Sequence, residues 1–64
     1  MKVYIVTESW DCEGTYIRKV FTDPEFALDY CRVQIGKDEG IIENLPTGFK
    51  IYDHSWIYEE FPIS

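Results

Sequence analysis

The chain has 64 residues, a net charge of −6 from 12 acidic and 6 basic side chains, and an aromatic content of 17%. That size implies a single domain over residues 1–64, with little interior left over to desolvate a catalytic cleft. The acidic balance argues against direct nucleic-acid binding and against anionic membrane surfaces, which reward clustered Lys and Arg; no apolar run approaches the ~20 residues that cross a bilayer.

Residues 2–8 (Lys-Val-Tyr-Ile-Val-Thr-Glu) are β-branched and aromatic and contain no Gly or Pro, so they read as a strand. Val3, Ile5 and Thr7 point one way and Tyr4, Val6 and Glu8 the other. Both faces are partly apolar, which predicts a central strand. Asp11, Glu13 and Gly14 mark a turn, and residues 15–21 resume the strand pattern, giving a β-hairpin. Alternation places Thr15, Ile17, Lys19 and Phe21 on one face of this second strand, with Tyr16, Arg18 and Val20 on the other.

The run Phe21-Thr22-Asp23-Pro24-Glu25-Phe26 predicts a helix start. Thr22 and Glu25 have the spacing of a capping box, and Phe21 and Phe26 that of a hydrophobic staple across it. Pro24 suits the first turn, where no N–H is needed. The helix should run to Gln34 or Ile35, with Gly36 as its C-terminal glycine. Its apolar arc (Phe26, Ala27, Leu28, Tyr30, Cys31, Val33, Ile35) is wider than the ~100° stripe that one sheet covers. A loop or a second copy of the chain would have to cover the remainder, so homodimerisation through the helix is the alternative to a monomeric module.

Residues 37–47 are turn-rich, with Ile41-Ile42 as a short extended piece. Residues 49–58 alternate as a strand, with Phe49, Ile51 and Ile57 inward and Lys50, Tyr52 and His54 outward. The polar centre Asp53-His54-Ser55 admits a bulge or a bend into a fourth strand, and Pro62 limits pairing near the end. The predicted fold is α+β: an antiparallel sheet of three to four strands with one helix packed on it, in the order β-β-α-β with an optional last strand.

No residue pattern points to catalysis, a cofactor or a metal. His54 is the only histidine; it is expected at the surface or a sheet edge, and in a regular strand Asp53 would point away from it. One His and two separated Cys lack zinc-ligand spacing. Cys12 lies between Asp11 and Glu13, whose charges disfavour a thiolate, and Cys31 belongs to the apolar arc. Without a leader ahead of the first strand, both thiols are expected reduced in a cytoplasmic protein. The candidate partner-binding residues are Trp10, Trp56 and Tyr58 as aromatic anchors, with Glu8, Asp11, Glu13, Asp53, Glu59 and Glu60 as an acidic rim. If the first and last strands are neighbours, these groups converge on one sheet edge.

Met1-Lys2-Val3-Tyr4-Ile5-Val6, Gly14-Thr15-Tyr16-Ile17, the Val20-Phe21-Thr22 lead-in to a helix with Ala27 and Tyr30, and Gly48-Phe49-Lys50-Ile51 together resemble a group of small uncharacterised domains from bacteria and their phages. Pro24 and the aromatic, acidic tail depart from that group, which offers no catalytic residues to carry over. The resemblance implies a phage or prophage origin and a protein that binds and blocks a host protein. The expected function is therefore a small acidic, non-enzymatic binding module. Its expected partner is a host or cognate protein, basic or itself nucleic-acid-binding, with nucleic-acid mimicry as one mode.

Overall fold

A computed structural model describes residues 1–63. The elements follow in the order β1 (Lys2–Trp10), β2 (Gly14–Phe21), α1 (Pro24–Ile35), β3 (Glu43–Leu45), β4 (Gly48–Ile51) and β5 (His54–Pro62). All strand pairs are antiparallel, in one sheet ordered β2-β1-β5-β4-β3. The helix α1 packs against β5, β4, β1 and β2.

This corrects the expected sheet of three to four strands: there are five, in the chain order β-β-α-β-β-β. The alternating stretch over residues 49–58 is two strands. Tyr52 and Asp53 form a tight turn between the paired Ile51 and His54, with Tyr52 in the left-handed region at φ 54°. The strand β3 escapes sequence pattern because Glu-Asn-Leu is short and polar; its pairing with β4 defines it. Ile41 and Ile42 precede it outside any strand, and both are exposed.

The central position of β1 agrees with its two partly apolar faces. Its pairing with β5 runs from Lys2↔Pro62 to Trp10↔His54. Against β2 the register shifts between Val6↔Lys19 and Thr7↔Ile17, which leaves Arg18 as an extra, bulged residue. The bulge interrupts the alternation read from the sequence. Phe21 therefore packs toward α1 against Tyr30, with ring centroids 5.6 Å apart, while Ile17 joins Ile5 and Thr7 on the opposite face. Ile57 also lies on that opposite face and not inward.

The helix cap is one residue later than the sequence suggests. Asp23 is the N-cap, and its Oδ1 accepts from the Glu25 N–H at 2.8 Å. Thr22 and Glu25 therefore do not form the expected capping box, and no Phe21–Phe26 staple closes it: Phe26 is 65% exposed. Asp23 already has extended backbone (φ −127°), the usual N-cap conformation, and Pro24 at the first helical position fixes the turn after it. At the other end Gly36 is αR (φ −65°) and not left-handed; its N–H donates to the Arg32 carbonyl, a continuation of the helical spiral.

Val6, Ala27, Cys31, Ile35, Ile51 and Trp56 form the buried core, flanked by Tyr4, Phe21, Tyr30, Phe49 and Tyr58. Ala27 and Cys31 are small enough to bring α1 close to the sheet, and Trp56 fills the space between, edge-on to Tyr30 at 5.9 Å. Only Ala27, Cys31 and Ile35 of the broad helix arc are buried. Gly48 marks the closest strand approach: a Cβ there would overlap the Trp56 carbonyl oxygen and stand 2.7 Å from Ile57 Cα.

Candidate functional site

The feature that sets this fold apart is a buried polar cluster at the end of the sheet where β1 and β5 meet the turns. His54 opens β5 directly after the Tyr52–Asp53 turn and faces the helix side, in phase with Trp56. It is 6% exposed, which corrects the expected surface or edge histidine. Its Nε2 stands 2.6 Å from Glu8 Oε2, and its Nδ1 meets Asp38 Oδ2. The expectation that Asp53 does not pair with it agrees with this arrangement. Arg18, turned by the β-bulge, donates from Nε to the other Glu8 oxygen at 2.8 Å. Trp10 covers the imidazole in a parallel stack.

Glu8 and Asp38 each present a carboxylate oxygen to one imidazole nitrogen, so the ring is bracketed by hydrogen-bonding groups on both sides. The cluster holds four chain segments together: β1, β2, β5 and the loop between α1 and β3. Gly40, at φ 136°, brings the same loop against Ile51 and Tyr52, where a Cβ would meet side-chain carbons at 2.9 Å.

Outside this cluster lies a shallow depression of about 250 Å³ lined by Trp10, Asp38, Glu39, Tyr52, Asp53 and His54 together with Ile51. Tyr52 is 80% exposed. The Asp11 N–H donates to the Asp53 carbonyl at 3.0 Å, which ties the β1–β2 turn to the β4–β5 turn. Asp11 also stands 3.9 Å from Lys50 Nζ. Aromatic rings beside carboxylates form an environment that accepts a cationic side chain.

The candidate residues read from sequence divide among different places. Trp10, Asp11, Glu13 and Asp53 gather at this end of the sheet, around the two turns. Glu8 is there too, but buried and paired. Trp56 is core, with no acceptor for its Nε1 among the described groups. Tyr58, Glu59 and Glu60 lie along β5 toward its other end, because β1 and β5 are neighbours but antiparallel. There Tyr58 packs edge-on to Tyr4, whose hydroxyl donates to Glu60 at 3.2 Å. Partial burial, then the Glu60 hydrogen bond and charge, raise the Tyr4 phenol above its usual range. The two acidic groups thus do not converge on one edge. Asp38, Glu39 and Tyr52 were missed, since the loop that brings them together shows in sequence only as turn residues.

Among the described residues, no group of three or more His, Cys, Asp or Glu side chains is arranged to hold a metal ion. No helix among the described residues is long and apolar enough to cross a membrane. Both cysteines are free: Cys12 is exposed and Cys31 buried. Burial pushes the Cys31 thiol up to about 11.

Fold and site together define a small α+β domain, one helix on a five-stranded antiparallel sheet, pinned at one end by a polar cluster around the buried His54. The chain belongs to the family described as domain of unknown function DUF7336, whose model matches residues 1–53. The match stops just short of His54, so β5 lies beyond it. No curated protein and no solved structure matches the chain.

Proposed function

We propose that this chain is a small, non-enzymatic protein-binding module that receives a Lys or Arg side chain of its partner in the depression beside Trp10 and Tyr52. The observation that carries this reading is the exposed Tyr52 ring, set at a turn between Glu39 and Asp53 on a chain of net charge −6. Carboxylates draw a basic partner from solution, and the aromatic faces hold its cation once water is displaced. In a phage setting, as the sequence resemblance implies, such a module would act by occupying a basic surface of a host protein.

Nucleic-acid mimicry has less support. It needs a continuous row of free carboxylates, whereas Glu8 is buried under Arg18, and Glu59 and Glu60 stand toward the far end of β5.

Affinity capture from host lysate with wild type, Tyr52→Ala and the pair Glu39→Gln with Asp53→Asn tests the reading. The expected result is a partner held at low salt, reduced at about 0.5 M salt and lost in both variants. A partner retained equally by all three proteins would overturn it.

A further inference from the structure

We infer that two copies of this chain pack sheet to sheet through the face opposite α1. This goes beyond the depression at Tyr52, which lies on the helix side and stays open in such a pair.

Among the described residues, no element packs over the sheet face away from the helix. It carries Ile5, Ile17, Val20, Ile57 and Phe61, and of these Ile17 is 70%, Val20 52% and Phe61 41% exposed. A second copy is the occupant that the charge distribution favours. By the pleat of the strands, the charged strand residues on this face among the described residues are Glu43, Lys50 and Glu59, of mixed sign. Most of the net −6 lies elsewhere, so two like-charged molecules repel least when they meet here. A strongly basic or acidic partner would find little charge to pair with.

Shape agrees with a two-fold pair. Ile17 lines one side of a trough of about 230 Å³ that also takes in Thr7, Ser9, Thr15, Ser55 and Glu59. A two-fold axis through the face seats the Ile17 of each copy in the trough of the other, the self-complementary arrangement of an isologous interface. Area agrees as well. Strands spaced ~4.8 Å apart and rising ~3.3 Å per residue give this face on the order of 500 Å² in projection, before side-chain relief is added. A standard interface buries ~800 Å² of accessible surface per partner, so the face suits a dimer of moderate affinity.

The exposed edge of β2 is the competing contact, and it is protected. The Arg18 bulge breaks its ladder, and Arg18 and Lys19 would be set against their own copies. Face-to-face packing gives four layers, helix, sheet, sheet, helix, and presents the Tyr52 depression twice on the outside.

Sedimentation equilibrium from about 1 to about 100 µM tests the inference, on wild type, Ile17→Glu on the open face and Phe26→Glu on the exposed side of α1. Wild type and Phe26→Glu should be dimeric at the upper concentrations and Ile17→Glu monomeric, with unchanged circular dichroism. A wild-type monomer throughout, or a dimer lost in Phe26→Glu and kept in Ile17→Glu, overturns it. Should Ile17→Glu fail to fold, concentration-dependent methyl shifts of wild-type Ile5, Ile17 and Ile57 decide: shifts at these residues support the pair, and shifts confined to Leu28 and Val33 or absent altogether refute it.

Discussion

Trp10 lies flat on His54, with ring centroids 3.7 Å apart and planes within 4° of parallel. The two residues are directly opposite in the β1–β5 pairing, so the stack is a cross-strand pair that also covers the imidazole at the centre of the cluster with Glu8, Arg18 and Asp38. A single imidazole thereby links β1, β5 and the loop after α1.

Removing that link leaves Glu8 with Arg18 alone and Asp38 with no partner in the cluster. His54→Ala should cost about 3 kcal/mol, the range for breaking a buried hydrogen-bond network and leaving a cavity in its place. Asp38→Asn should cost less, because Asp38 is partly exposed. Urea titration of the three proteins checks the order; equal midpoints for wild type and His54→Ala would show that the cluster contributes nothing to stability.

The N-cap assignment separates two neighbouring residues. Asp23→Ala should lose about 1 kcal/mol, as caps do, while Thr22→Ala should stay within about 0.5 kcal/mol. The reverse order in thermal denaturation would restore the capping box suggested by the sequence.

Gly48→Ala has no room, since its Cβ would overlap the Trp56 carbonyl in the paired strand. Backbone has to move, and the expected loss is about 3 kcal/mol or more. Retention of the wild-type melting temperature would contradict this strand spacing.

Tyr52 is a bulky residue held at φ 54°. Replacing it by Asn, which tolerates the left-handed region, should stabilise the fold by up to about 1 kcal/mol while weakening partner capture. Opposite signs for stability and binding would mark the strain as kept for recognition; a loss of both would mean that the ring packs for stability.

The thiols offer a pH test. Burial raises Cys31 to about 11, so the folded state keeps its proton where the unfolded chain, with a thiol near 9.0, releases it. The stabilisation is complete below pH 9 and is lost as pH rises toward 11. At pH 8 iodoacetamide should label Cys12 within minutes and leave Cys31 untouched until urea is added. Equal labelling of both in native buffer is the outcome that excludes a buried Cys31.

What could be read in advance depended on range. The hairpin of β1 and β2 and the extent of α1 follow from residues within a few positions of each other, such as Pro24 at the helix start and Gly14 at the turn. The cap slipped by one because Thr22 and Asp23 are both good cap residues, and only backbone geometry chooses between them. The β4–β5 division was hidden because a two-residue turn barely disturbs alternation. The buried state of His54 was out of reach: its partners Glu8 and Asp38 are 46 and 16 residues away. A trace of it did exist in phase, since His54 shares a face with Trp56.

The pairing of β1 with β5 joins the two ends of the described chain, down to an Ile63 N–H donated to the Met1 carbonyl at 2.7 Å. The strands that form the middle of the sheet are therefore the ones farthest apart in sequence. Loop closure across nearly the whole chain has to precede the contacts that reward it, so folding should be slow for so small a molecule. A protease that removes β5 does not trim the domain; it takes out His54, Trp56 and the neighbour of both β1 and β4 in one cut, and the remainder is left with a split sheet under an open core.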